Sequence, residues 1–185
     1  LSGEHFEILT DKLAAMPMPS ICAINGNAYG GGTEIGLCCD FRIGVQGMTI
    51  RVPAARFGLC YPLNGIQRYV QRLGLNTAKR LLIAAETLDT EALLSLGYLT
   101  HLVESHQLVE TTEQMAETIS KLAPLAVTAM KKICDQMAEG SLCEPEALAL
   151  IQQCRQSEDL REGLNAEREK RQPIFVGVEC PSSAD

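Results

Sequence analysis

The sequence predicts an α/β fold, and three features of the residue order lead to that prediction. The apolar run at 20–24 suits a buried strand, and a glycine-rich turn and a short apolar segment follow it. Residues 41–45 and 48–52 alternate apolar and polar side chains well enough to form two further strands. From Asn64 onward, apolar residues recur at helical spacing, which predicts a mainly helical second half.

Residues 1–16 predict an amphipathic helix ahead of the first strand. Phe6, Leu9 and Leu13 recur at helical spacing and would share one apolar face. Pro17 follows this pattern and is expected to end the helix.

Glycines and prolines divide the second half into consecutive helices. Gly74 ends the first of them and Gly97 the third, while Pro124 and Pro145 are tolerated near helix starts. The predicted helices cover about 64–73, 76–86, 90–96, 106–122, 124–139, 145–156 and 157–171, and a short strand is predicted at 99–103.

The stretch Asn25–Asp40 contains the residues that are best suited to a catalytic role. Its triple glycine, 30–32, precedes a helix whose first backbone N–H groups would have no partner inside the helix. Those donors and the positive end of the helix suit an oxygen that carries negative charge. Glu34 follows Gly31 by about one helical turn, so donor and carboxylate can face the same small volume. This combination is typical of proton transfer next to a carbonyl group.

Other interpretations of the glycine stretch compete with that one. Taken alone, a triple glycine equally fits close packing of the helix against its neighbours. A dinucleotide site is disfavoured because the spacing differs from G-x-G-x-x-G, and a phosphate loop because no Gly-Lys-Ser/Thr follows.

The composition excludes several classes of function. A formal charge of −7 argues against a nucleic-acid surface, which would carry a basic stripe. The apolar runs fall far short of the roughly 20 residues that a membrane span needs. His, Asp and Glu show no metal-ligand spacing, so no metal site is expected.

The eight cysteines are predicted to be reduced. None forms a C-x-x-C pair, and several lie in apolar patterns where a thiol behaves as a small hydrophobe. Those in apolar patterns are Cys22, Cys38, Cys39, Cys134 and Cys154. We therefore expect a reducing, intracellular setting, with the cytoplasm or an organellar matrix as the location.

An ordered set of motifs gives the chain a family resemblance. The stretch Pro19–Asp40 resembles the signature of the crotonase (enoyl-CoA hydratase/isomerase) superfamily. Four later motifs follow in that family's order, and the resemblance runs from about Pro17 to Val178. They lie at 58–62, 97–103, 123–127 and 157–171.

The resemblance implies a particular version of the α/β fold. It implies a partial crotonase-like ββα spiral over 1–103 and a C-terminal helical layer over 104–178 that forms trimers. The polar tail at 179–185 is expected to be disordered.

The resemblance also assigns roles to individual residues. Gly31 would supply one N–H of the oxyanion hole that holds the thioester oxygen while an enolate forms, and Glu34 would be the acid/base. Lys170 matches a lysine that reaches coenzyme A from a neighbouring subunit in some relatives. The positions assigned to substrate binding are Tyr29, Gly30, Pro53, Ala54 and Lys170.

One position departs from the pattern of the family's hydratases. They carry a second glutamate directly after a proline, where this chain has Pro53 and then Ala54. Alanine transfers no protons, which puts ordinary two-glutamate hydration in doubt. The turn around Tyr61 is similar to the methylmalonyl-CoA decarboxylase branch, so Tyr61 is a candidate second catalytic group. Equally, Tyr61 could pack with its hydroxyl at the surface.

The resemblance thus implies an acyl-CoA thioester enzyme of fatty acid metabolism, a lyase or isomerase that works through an enolate. Coenzyme A would be part of the substrate, with no separate cofactor, and the assembly a homotrimer or homohexamer. The alternatives are a decarboxylase and a non-catalytic family member. Because the family's second oxyanion donor lies in a segment that nothing before Ser20 matches, we expect a natural chain with an N-terminal extension.

Overall fold

The computed structural model describes residues 3–177, which divide into two compact units. The first unit contains the described residues up to Met16 together with Ser20–Gln114. The second contains Pro17–Pro19 and the described residues from Met115 onward. The elements of the first unit are α1 (Gly3–Ala14), β1 (Ile21–Ile24), β2 (Ala28–Tyr29), α2 (Gly31–Cys38), β3 (Phe41–Val45), β4 (Ile50–Arg51), α3 (Leu63–Leu82), β5 (Thr87–Leu88), α4 (Thr90–Ser95) and β6 (His101–Val103).

Two small sheets organise the first unit. One has the order β1-β3-β6 with parallel pairs, and its central strand β3 carries the buried side chains Ile43 and Val45. An apolar central strand of this kind is typical of parallel sheets covered on both faces. The other sheet has the order β2-β4-β5, with β2 parallel and β5 antiparallel to β4. The Gly30 N–H donates to the Arg51 carbonyl oxygen at 2.9 Å, so this second sheet holds the start of α2.

A buried arginine closes the other end of α2. Arg42 donates from Nη1 to the carbonyl oxygens of Cys39 at 2.6 Å and Gly36 at 3.4 Å, and from Nε to that of Tyr98. The Tyr98 hydroxyl donates to the Thr33 carbonyl oxygen at 3.0 Å. A cation at the C-terminus of a helix satisfies its last carbonyls and opposes the negative end of its dipole.

The sequence-based prediction agrees with much of the first unit. The strand at 41–45 is confirmed as β3, whereas the strand at 48–52 shortens to β4. The predicted helix end at Gly74 is a kink inside α3, where Gly74 has a φ of 76°. The strands β2 and β5 were missed because a two-residue strand is too short to show periodicity.

The second unit is helical, and the division between the units falls within its first helix. The sequence-based prediction placed the boundary after residue 103, whereas the two units divide after Gln114. The predicted helix at 124–139 is confirmed, with Pro124 in the first turn and Gly140 ending it at a φ of 70°. The predicted tail at 179–185 lies outside the described residues. The helices are α5 (Leu108–Ser120), α6 (Pro124–Glu139), α7 (Glu144–Arg155) and α8 (Glu158–Glu169).

Asp159, buried in α8, fixes the chain that follows this helix. Its carboxylate accepts the N–H of Val176 at 2.8 Å and that of Gly177 at 3.1 Å. Within residues 3–177, no helix is long and apolar enough to cross a membrane.

Candidate active site

The N-terminus of α2 is the open end of this helix. Gly30, the N-cap, has a φ of 53° and a ψ of −119°, a conformation that disfavours any residue with a Cβ. Its carbonyl oxygen accepts the N–H groups of Thr33 at 3.1 Å and Glu34 at 3.4 Å. Gly31 begins the helix, and its N–H finds no acceptor among residues 3–177. The role of this N–H as an oxyanion donor stays a prediction.

The ring of Phe6, on α1, lies against Gly31. A Cβ at position 31 would meet the Phe6 Cζ atom at 2.8 Å. The absence of a side chain at Gly31 thus allows α1 to pack directly on the start of α2.

Glu34 is buried, with only 1% of its surface exposed. Its Oε1 atom accepts a hydrogen bond from Arg68 Nη1 at 2.6 Å. Its Oε2 atom is also buried and has no hydrogen-bond partner within the described part of the chain. A buried carboxylate oxygen without a partner is costly, and such atoms occur where a ligand or a reaction uses them.

Arg68, on α3, connects Glu34 to α1. Besides Glu34, its guanidinium donates from Nη1 to the Thr10 hydroxyl at 3.1 Å and from Nη2 to Asp11 Oδ1. The other oxygen of Asp11 accepts from Asn64 Nδ2 at 2.9 Å. The residue order did not predict this network, because its contacts join residues 34 to 58 positions apart in the chain.

The structure brings Tyr61 next to Glu34. A Cβ at Gly65 would lie 2.5 Å from Tyr61 Cε1 and 3.1 Å from Glu34 Oε2, so both side chains meet over this glycine. The Tyr61 ring also packs edge-on against Tyr69, with ring centroids 5.7 Å apart.

The hydroxyl of Tyr61 is buried, so the interpretation that it lies at the surface is wrong. It makes no hydrogen bond of good geometry within residues 3–177, and the same is true of the Tyr69 hydroxyl. Burial raises the pKa of Tyr61, and the negative charge of Glu34 raises it further. Tyr61 therefore keeps its proton at neutral pH.

The other predicted substrate-binding positions of the first unit lie in two groups. Tyr29 is half-exposed in β2, and the guanidinium of Arg51 lies 5.1 Å from its ring centroid. Pro53 and Ala54 open a short 3-10 helix, where the Ala54 side chain is buried. Ala54 thus occupies an interior position with a methyl group that neither donates nor accepts protons.

Lys170 belongs to the second unit, where it ends α8. It has a φ of 55°, and its N–H donates to carbonyl oxygens of the last turn. Its predicted contact with coenzyme A stays a prediction. Among residues 3–177, no group of His, Cys, Asp and Glu side chains could hold a metal ion.

A family model and two curated proteins are similar to this chain over most of its length. The family model described as enoyl-CoA hydratase/isomerase matches residues 1–178. The chain is 32% identical over 173 residues to methylmalonyl-CoA decarboxylase of Escherichia coli, covering 91% of this chain and 66% of that protein. It is 31% identical over 172 residues to enoyl-CoA isomerase/hydratase fer4 of Mycosarcoma maydis, covering 91% and 63%.

A solved structure supports the fold. The crystal structure of an enoyl-CoA hydratase/isomerase family protein from Hyphomonas neptunium matches with a TM-score of 0.88 and 28% identity. The match covers 96% of this chain and 68% of that one. The chain spans just under two thirds of the length of the two curated relatives.

Proposed function

The chain belongs to the enoyl-CoA hydratase/isomerase family, and from that premise we propose that it acts on an acyl-CoA thioester through an enolate. The observation that carries the proposal is the buried carboxylate of Glu34. One of its oxygens is held by Arg68, and the other has no partner among the described residues. Such an oxygen suits a base that removes a proton from a bound substrate.

The proposed step needs one base and one donor. Glu34 Oε2 takes a proton from the carbon next to the thioester, and the electron pair of that C–H bond moves toward the thioester oxygen. The N–H of Gly31 then hydrogen-bonds the negative oxygen, a contribution of about 3 kcal/mol for a donor of this kind. Coenzyme A enters as part of the substrate.

Exchange of the α-proton tests this step without knowledge of the final product. Butyryl-CoA incubated with the protein in D₂O should gain deuterium at Cα, which mass spectrometry measures. Glu34→Gln keeps the shape of the side chain but removes the base, and should abolish most of the exchange. A wild-type protein that binds butyryl-CoA and exchanges nothing would contradict proton removal by Glu34. If it also leaves methylmalonyl-CoA unchanged, it would support a non-catalytic family member.

Decarboxylation is the second candidate reaction, and the pair Ala54 and Tyr61 favours it. With alanine at position 54, no second carboxylate is available there to activate water. In a decarboxylation, the bond from Cα to the carboxylate breaks, carbon dioxide leaves, and the electron pair enters the enolate. Tyr61, which keeps its proton, can then protonate Cα. The relative named methylmalonyl-CoA decarboxylase supports this candidate.

Product assays separate the two reactions. Consumption of methylmalonyl-CoA, with little hydration of crotonyl-CoA, would favour decarboxylation. In Ala54→Glu, the installed carboxylate should raise crotonyl-CoA hydration by roughly 10-fold or more, because general base catalysis is worth at least that. Efficient hydration by the wild type would contradict the decarboxylase candidate.

We also propose a homotrimer or homohexamer formed through the helical second unit. Its helices carry large apolar side chains that are partly or largely exposed in the single chain, as trimer formation would require. Examples are Leu148 and Ile151 on α7, with Leu142 in the connection that precedes this helix. Light scattering of a dilute sample should give three or six times the chain mass. A monomer would contradict the trimer and any contribution of Lys170 to a neighbouring subunit's site.

We place the reaction in fatty acid metabolism, in the cytoplasm or an organellar matrix. The seven cysteines among the described residues are free thiols, which suits a reducing compartment.

A further inference from the structure

We infer that Arg68 is a positioning residue that holds one oxygen of Glu34 and thereby aims the other at the substrate. The inference rests on the proposed function, in which Glu34 is the base. Arg68 and Glu34 are 34 residues apart in the chain and meet through the packing of α3 on α2. The Arg68 side chain is 13% exposed, so solvent screens the ion pair only weakly.

The guanidinium of Arg68 is divided between two carboxylates, those of Glu34 and Asp11. A bidentate pair between Arg68 and Glu34 would occupy both oxygens of the carboxylate. Here Nη1 binds Glu34 Oε1 and the Thr10 hydroxyl, while Nη2 binds Asp11. As a result, Glu34 Oε2 stays unpartnered within residues 3–177 and faces Gly65 and Tyr61.

The residues on α1 act as the support for Arg68. Thr10 is fully buried, and its hydroxyl is itself held by donating to the Glu7 carbonyl oxygen at 3.0 Å. Asp11 is oriented by Asn64, which lies one helical turn before Arg68 on α3. The guanidinium is therefore held at both nitrogens, so it can restrict rotation of the Glu34 carboxylate.

Two variants change this geometry in different ways. Arg68→Lys keeps the charge but replaces the planar fork by a single ammonium group, which does not reproduce the three contacts. Asp11→Asn removes the charge that holds Nη2, so the guanidinium is free to take both oxygens of Glu34. Arg80→Lys is the matched control, because Arg80 lies on the same helix and forms a bidentate pair with Glu86 at the surface.

The measured quantity is α-proton exchange of butyryl-CoA in D₂O. Arg68→Lys and Asp11→Asn should each lower kcat by about 10- to 100-fold, the usual effect of a misaligned catalytic group. KM should stay within about twofold, since substrate contacts are unchanged. Arg80→Lys should leave both constants unchanged. In a Glu34→Gln background, Arg68→Lys should cause no further loss, because no base remains to be positioned.

Crystal structures of the wild type and the Arg68→Lys variant supply a readout that does not depend on activity. We expect the Glu34 carboxylate to rotate in the variant. An unchanged carboxylate in Arg68→Lys, or a full kcat in that variant, would overturn the inference. If the wild type exchanges no protons, the proposed proton removal by Glu34 fails, and the orientation of Glu34 in the two structures alone decides whether Arg68 positions it.

Discussion

The two ends of helix α2 differ in how many of their polar groups are hydrogen-bonded. At the C-terminal end, Arg42 donates to the carbonyl oxygens of Gly36 and Cys39, and Tyr98 donates to that of Thr33 further back in the helix. At the N-terminal end, the N–H of Gly31, the Oε2 atom of Glu34 and the hydroxyl of Tyr61 are without partners in the described residues. The residues of the C-terminal end, 36–39, are buried, whereas at the N-terminal end Gly32 is exposed and the carboxylate of Glu34 lies deep in the unit.

The C-terminal end of α2 is arranged to stabilise the fold, and the N-terminal end is arranged to bind a ligand. Each buried polar group without a partner costs about 1–3 kcal/mol, so a cluster of them destabilises the fold. A satisfied end contributes stability, while an unsatisfied end keeps donors and acceptors free for a ligand. Substitutions at the C-terminal end should therefore lower stability, and those at the N-terminal end should lower activity.

The largest effect is expected for Arg42→Met. The change would leave the carbonyl oxygens of Cys39 and Tyr98 without their arginine donor, while that of Gly36 keeps the Cys39 N–H at 3.2 Å. Two buried groups without a donor should cost about 2 kcal/mol or more of unfolding free energy in total. Urea denaturation measures this loss, with Arg80→Met on the neighbouring helix α3 as the comparison, since Arg80 pairs with Glu86 at the surface. A loss below 1 kcal/mol (roughly the value of one ordinary hydrogen bond) would show that this end of α2 is not held by Arg42.

Glu34→Gln is the corresponding change at the N-terminal end. Exchange of the α-proton should fall by ~10²-fold or more, because the amide does not act as a base. The unfolding free energy should fall by less than in Arg42→Met, since Arg68 loses one carboxylate partner but keeps Asp11. An unchanged exchange rate would remove Glu34 from the mechanism.

Two glycine-to-alanine substitutions test the difference between the ends of α2, one at Gly36 and one at Gly65, which faces Glu34 from α3. In Gly36→Ala the new Cβ would lie 2.5 Å from the Tyr98 hydroxyl oxygen, which must leave the Thr33 carbonyl. We expect a loss of about 1–3 kcal/mol in unfolding free energy.

In Gly65→Ala the new Cβ would displace the Tyr61 ring and press on Glu34 Oε2. We expect about a 10-fold loss of kcat from the shifted groups, with the smaller effect on stability. Thermal melts and exchange assays on both variants decide the matter. Equal effects on stability and activity at the two positions would contradict the division between the two ends.

The smallest effect is expected for Tyr61→Phe. Removing a buried hydroxyl that lacks a good partner should raise the unfolding free energy by up to about 1 kcal/mol. Release of carbon dioxide from methylmalonyl-CoA should fall, because the proton donor is lost. Tyr69→Phe is the matched control, since it removes a similarly buried hydroxyl and should change stability without changing activity. If both variants retain full activity, Tyr61 serves packing alone.

Features that depend on local periodicity could be predicted from the residue order. The strand β3, the helix α6 and the change of direction at Gly74 follow from residue order within a few positions. The separation of Gly31 and Glu34 by about one turn is likewise a property of the α-helix, so the oxyanion donor and the carboxylate could be named together.

Which side chains contact each other, and which polar atoms have no partner, became known only from the tertiary structure. Arg68 reaches Glu34 across 34 residues and Thr10 across 58, and no periodic pattern encodes such a separation. The burial of the Tyr61 hydroxyl likewise depends on the packing of α3, because the sequence equally allowed it at the surface. Side-chain pairing between distant elements is set by how the helices and sheets pack, and the residue order within each element does not specify that packing.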